Sequence, residues 1–258
     1  MSRGDDPVIP ADWTGFRRFT PARIALGRAG SALPTAVHLA FQLDHARARD
    51  AVHTPLDRPA LAATLAAMGL SSLCIDSAAG DRATFLQRPD LGRVPAQDAE
   101  DRVRALGRSD IALVIADGLS ARAVQRHAVP LLASALPDLA DHGLTVSPAI
   151  LVAQGRVAIG DPLGHWLGAR LAIVLIGERP GLSSPDSLGV YLTHAPSPGR
   201  TDAERNCISN IRPEGLGHAA AARTLVWLVR ESLRLKLSGV GLKDNSGINV
   251  AAPLLSTE

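Results

Sequence analysis

DIALVIADGLSARAVQRHA, residues 110–128, decides the fold. Residues 110–116 are apolar almost without interruption, as in a strand covered by helices on both faces. Gly118 makes a turn, Ser120 is placed to cap, and ARAVQRHA begins a helix that Pro130 is expected to break or to follow with a new one. The unit then repeats. VAIG (157–160) reads as a strand, Asp161 as an N-cap, Pro162 as the first helical residue and LGHWLGA (163–169) as the helix leading to the strand LAIVLIG (171–177). Two strand–turn–helix units predict an α/β fold, a Rossmann-like, largely parallel sheet flanked by helices.

Upstream, SLCID (72–76) is a further short strand. PTAVHLAFQLDHARARDAVH (34–53) reads as a helix with Val37, Phe41, Ala48 and Val52 near one face, and an alanine-rich helix follows from Pro59 to Met68, ended by Gly69. Residues 1–33 mix Pro, Gly and Arg without period and are expected to run over a surface. The chain thus divides into a helical N-terminal segment, 1–69, and a Rossmann-like domain, 70–258. Residues 217–236 form a late amphipathic helix with Ala221, Leu225, Leu228 and Leu235 on one side, and the tail beyond Lys243 has no strong period.

At 258 residues with 46% hydrophobic side chains, the chain can bury a sizeable core. Aromatic residues are only 3%, too few for a base-stacking surface, and the net charge of +2 comes without a basic run. These features speak against nucleic acid and membranes as partners. Cys74 and Cys207 can build neither a metal cage nor a disulfide framework, so a reducing cytoplasm is the simplest compartment. The N-terminus carries no apolar leader, and no stretch of about 18 apolar residues could span a bilayer.

Several residues invite a functional reading. Glu178 and Arg179 directly follow LAIVLIG, and the connection to SLGVYLTH (187–194), with Pro180, Gly181 and Pro185, is longer than a hairpin requires. An ordinary surface ion pair is the competing reading, and the loop length favours binding. Gly160, Gly164 and Gly168 open a face without side chains, suited first to close helix–sheet packing, with binding left open. They match neither GxGxxG nor a P-loop. Cys207, in NCISN, is a small buried hydrophobe or a contact in a pocket rimmed by Asn206, Ser209 and Asn210; a nucleophilic role is the least favoured. His38, His45 and His53 suit a solvated or docking face, and no histidine pattern announces a metal site. The residues alone support a ligand-binding subunit better than a complete enzyme.

Seven ordered blocks carry a family resemblance: TPARIALGRAGSALPT (20–35), FQLDHARARDAVH (41–53), FLQRPDLGR (85–93), IADGLSA (115–121), QGRVAIGD (154–161), LIGERPGLSSPDSLG (175–189) and RNCISNIRPEGL (205–216). Together they resemble the small subunit of ethanolamine ammonia-lyase. The resemblance implies a carbon–nitrogen lyase that depends on adenosylcobalamin and converts ethanolamine to acetaldehyde and ammonia by a radical route. It also implies a TIM-barrel large subunit that carries the substrate site, assembled with this chain as a multimer of heterodimers. Carried over by motif, the cofactor contacts fall on Val157, Glu178 and Cys207, with Arg156 and Ser209 as weaker neighbours and no catalytic residue on this chain. No DxHxxG motif occurs, so the cofactor is expected base-on, with no cobalt ligand from this chain. Residues 1–69 are the candidate for docking on the large subunit. The location implied is the cytoplasm, with enclosure in a bacterial microcompartment left open. The alternatives are a nucleotide- or cobalamin-binding module without lyase activity, and a self-sufficient nucleotide-dependent enzyme.

Overall fold

The computed structural model describes residues 8–247. Six strands form one sheet: β1 (Ser72–Asp76), β2 (Ile111–Ala116), β3 (Ala149–Ala153), β4 (Leu171–Gly177), β5 (Leu188–His194) and β6 (Arg205–Ile211). The order is β1-β3-β2-β4-β5-β6. The first four strands are parallel, and β5 and β6 extend the sheet antiparallel. The α/β class is therefore as expected, in a mixed, mostly parallel form.

Alternation along the buried strands sorts side chains to the two faces. From β2, Ile111, Leu113 and Ile115 enter the larger core with α2 (Arg58–Ala67), α5 (Ala121–Asp141) and α7 (His218–Leu235), counting helices in chain order. Ala112, Val114 and Ala116 face α4 (Ala99–Arg104) and α6 (Gly160–Trp166) on the other side. The small residues on that side let α6 come close. A Cβ on Gly160 would lie 2.4 Å from Val174 Cγ2, and one on Gly164 would lie 2.5 Å from Pro196 Cγ. Packing is thus what these glycines serve. Gly118, at φ +56°, lies so close to Gly177 that a Cβ would sit 2.3 Å from its carbonyl oxygen.

Several expectations are corrected. VAIG is not a strand: Val157–Ile159 form a 3-10 turn leading into α6, and the strand is AILVA, 149–153. It ends at Gln154, which takes a left-handed φ of +57°. Asp161 does not cap α6; it lies inside the helix, buried, and pairs with Arg205 at 2.6 Å. Pro130 does not break α5, which runs through both Pro130 and Pro137. Ala128, Leu131, Leu132 and Ala135 are buried around the first proline, so packing outweighs the lost hydrogen bond. Leu235, expected on the packed side of α7, is exposed.

The N-terminal helix is α1 (Thr35–His53), but of its residues only Ala51 is buried. Leu39, Phe41 and Leu43 are exposed, as are Trp13, Phe16 and Phe19 before it. The short 3-10 helix Thr14–Phe19 buries no residue. The segment does run over a surface, largely without cover from its own chain. The end of the tail, residues 248–258, lies outside the described residues, as do residues 1–7.

Candidate functional site

The strand ends converge on a buried carboxylate. Asp117 follows β2 and accepts the amides of Gln154 and Gly155, each at 3.0 Å, fixing the turn after β3. Burial pushes its pKa up, against the pull of the Gln154 amide and of Arg82. Gly155 is required here, since a Cβ would lie 2.9 Å from Ala116 Cβ. Arg156 follows, with its amide donating to Gly92 O (2.7 Å) and its Nη2 to Phe85 O (3.0 Å). Its guanidinium stacks 4.0 Å from the Phe85 ring centroid. Burial lowers the Arg156 pKa, as do the neighbouring charges of Arg82, Arg93 and Arg179. Val157 is half-buried at the margin of the α6-side core.

Glu178 lies beyond β4, where its amide donates to Ser187 O (2.9 Å) and closes the long loop. Its Oε2 accepts Ser187 Oγ (2.5 Å) and the Asn210 amide (3.2 Å). No ion pair joins it to Arg179 among the described residues, so the surface-pair reading fails. The loop is also tied to α5 and to the residues after β6: Ser120 Oγ donates to Pro185 O (2.9 Å), Arg126 pairs with Asp186 (2.5 Å), and Arg212 donates to Ser183 O (3.2 Å). These bonds tie the connection down along its length.

Cys207 lies within strand β6, not in a loop, and the residue is exposed, not buried. Its register partners are Tyr191 and, one strand further, Val174. Paired positions share a face, so Cys207 and Tyr191 point to the α6 side of the sheet, as Val174 does. Gly189, paired with Ile176 two residues before Tyr191, lies on the same face. A Cβ there would lie 3.1 Å from Glu178 Oε1 and 3.4 Å from the Tyr191 ring, so its bare backbone makes room for the carboxylate. Protein crowded around Sγ desolvates the thiol and raises its pKa, with Glu178 adding to the effect and Tyr191 opposing it. Desolvation likewise raises the Tyr191 pKa, with Cys207 and Glu178 beside it. A neutral thiol is a weak nucleophile.

Glu178 and Cys207 thus meet on the α6 side of the sheet, where β5 and β6 extend beyond α6, and Val157 borders the core on that same side. Ser209, exposed near the irregularity of β6, lines a cleft of about 270 Å³ with Cys207, Asn206 and Thr224. Asn210 does not join that rim; its side chain accepts from Arg212 Nε (3.0 Å). A cavity of about 550 Å³ beside α6, lined by Arg93, Pro95, Asp161, Trp166 and Arg200 among others, includes none of the five carried-over residues. No group of three or more His, Cys, Asp or Glu is placed to hold a metal among the described residues.

The family model described as "Ethanolamine ammonia-lyase light chain (EutC)" matches residues 10–243. The chain belongs to this family. An ethanolamine ammonia-lyase small subunit of Azotobacter vinelandii is 57% identical over 247 residues, covering 94% of this chain and 92% of the relative. One of Ralstonia nicotianae is 57% identical over 249 residues, with the same coverage. A third, of Xanthomonas campestris pv. campestris, is 56% identical over 251 residues, covering 95% and 91%. Family membership makes this chain a lyase subunit and implies a large-subunit partner. Residue reasoning passed over Tyr191, Phe85, Arg82 and Asp117. Only Asp117 carried a signal, an acid directly after a buried strand; the other three became visible through tertiary contacts.

Proposed function

We propose that this chain is the small subunit of an adenosylcobalamin-dependent ethanolamine ammonia-lyase, a carbon–nitrogen lyase. It closes over a cofactor held against a TIM-barrel large subunit, within a multimer of heterodimers. The supporting observation is the meeting of Glu178 and Cys207 on one face of the sheet, with Val157 bordering the core on that same side. The residues there suit a corrin, which is broad, apolar and edged with amides. Val157 and the Tyr191 ring offer apolar contact, and Glu178 offers an acceptor already oriented by Ser187 and Asn210. Gly189 leaves the space a side chain would fill.

Bound adenosylcobalamin supplies the radical that takes hydrogen from ethanolamine before the amino group leaves. This chain's residues bind and orient. Glu178 accepts hydrogen bonds at the cofactor's edge, Cys207 stays protonated and unreactive, and Arg156 and Ser209 flank them. No residue of this chain would ligate the cobalt. The N-terminal segment, 1–69, docks on the large subunit through its exposed aromatic and aliphatic side chains, and residues 70–258 form the cobalamin-binding domain.

No helix among the described residues is long and apolar enough to cross a membrane. The proposed location is the cytoplasm, and cell fractionation tests whether the complex travels with microcompartment shells. Co-expression with a large subunit tests the reading: ammonia release should require both subunits, ethanolamine and adenosylcobalamin. Release by this chain alone overturns it, as does a cobalt spectrum showing histidine ligation.

A further inference from the structure

Doubly wound sheets take their ligands where adjacent strands send their connections to opposite faces. Here that crevice lies between β2, which leads to α5, and β3, which leads to α6. It is filled by a side chain. Arg82, on α3 (Arg82–Gln87), donates from Nη1 to Gly118 O (2.8 Å) and Gln154 Oε1 (3.2 Å), 3.7 Å from Asp117 Oδ2. A nucleotide has no room there while the guanidinium stays.

The same group reaches a third segment. Nε donates to Val52 O at 2.6 Å, in the last turn of α1. Among the described residues this is the one side-chain hydrogen bond joining α1 to the sheet unit. The guanidinium lies 4.7 Å from the centre of the buried Phe85 ring, whose neighbourhood Arg156 shares at 4.0 Å. Arg156 precedes Val157. Arg82 Nη2 is buried and has no hydrogen-bond partner. A buried donor without a partner is costly, so a side chain kept only to fill space would satisfy it or do without it.

We infer that Arg82 is a positioning residue that ties the Gln154–Val157 turn to α1, so that seating α1 on the large subunit orders the turn. The inference rests on the docking and cofactor roles proposed above for α1 and Val157. A planar fork with donors in several directions can serve all three segments, whereas a lysine ammonium cannot span them. The spare Nη2 gives docking a donor to satisfy when α1 shifts.

The test uses the complex with the large subunit and follows amide exchange of residues 154–158 in the complex and in the free chain. In the wild type, assembly should slow this exchange about tenfold. With Arg82→Met or Arg82→Lys the subunits should still co-elute, while the slowing drops below about twofold. Gln154→Ala, which removes one acceptor and leaves Arg82 in place, should lose part of the slowing and serves if the Arg82 variants misfold. Full slowing in all three variants, or none in the wild type, overturns the inference. So does loss of co-elution in Arg82→Met with Gln154→Ala unchanged. Titrating the wild-type complex with adenosylcobalamin is a separate measurement: an absent absorbance change sinks the cofactor reading and leaves the exchange result standing.

Discussion

At Gly189 the fold leaves out one methyl group and places a carboxylate over the gap. A Cβ would come within 3.1 Å of Glu178 Oε1 and 3.2 Å of its Cγ, and both belong to a side chain held by Ser187 and Asn210. Gly189→Ala should therefore displace the carboxylate at a cost of about 1–2 kcal/mol, weakening adenosylcobalamin binding by the complex roughly tenfold. Spectral titration checks this, and thermal melting should move only a few degrees. The Cys207 thiol offers a second measurement. Desolvation first, and Glu178 second, disfavour the thiolate, so the reactive form gathers at higher pH. In a Cys74→Ser background, the iodoacetamide rate should have its midpoint above the ~8.5 of a free thiol. A midpoint below that value would restore Cys207 as a nucleophile. Neither environment was legible from the residues alone. Glu178 was visible because it directly follows a strand, whereas its bonds to Ser187 and Asn210 depend on an antiparallel register that periodicity does not encode.

Among the elements, the buried parallel strands were the most legible. LAIVLIG and the IALVIA of β2 are long apolar runs bounded by Gly and polar residues, and a helix on each face explains both. The VAIG turn was misread because four residues bearing two β-branched side chains look the same in a strand and in a tight turn. What separates them is the amide of Arg156 bonding to Gly92 O, 64 residues away in sequence and invisible to a local pattern. Pro130 was misread for a different reason. Propensity ends a helix there, but burial of α5 against the sheet and beside α7 overrides it. Pro130→Ala should restore a backbone donor and raise the unfolding midpoint, with a gain of up to about 3 kcal/mol in unfolding free energy if the helix relaxes fully. Denaturant titration checks this, and an unchanged or lower midpoint would mean that the surrounding packing depends on the proline. The turn before β6 provides a pH test. Glu204 accepts the Thr201 amide (2.7 Å) and hydroxyl (2.9 Å) and pairs with Arg200, and these contacts lower its pKa from 4.5 to about 2. A depressed carboxylate contributes stability above the unfolded pKa and loses it as pH falls through the folded one. Protection of the Thr201 amide, taken relative to the intrinsic exchange rate at each pH, should fall between pH 4.5 and about 2, and Glu204→Gln should remove that dependence.

For the whole molecule, the distribution of exposed apolar surface separates the two parts of the chain. The sheet unit keeps most of its large side chains inside, with Val94, Leu235 and Val240 exposed at scattered positions, while Trp13, Phe16, Phe19, Leu39, Phe41 and Leu43 of the N-terminal part lie exposed together. Helix periodicity at 34–53 predicted an apolar stripe and could not say what covers it, because a stripe that packs on its own chain and one that packs on a partner look alike in sequence. A family of small subunits supplies the partner. Aromatic residues are the usual anchors of such contacts, each worth about 2 kcal/mol or more when central. Replacing Phe16 and Phe19 together by Ser should therefore weaken association with the large subunit by about a hundredfold or more. Neither residue is buried within this chain, so the melting temperature of the isolated subunit should not change. Size-exclusion co-elution and calorimetric melting measure the two effects. Undiminished co-elution would move the docking surface away from this segment and onto the sheet unit, and a lowered melting temperature would show that the aromatic pair belongs to the fold and not to the interface.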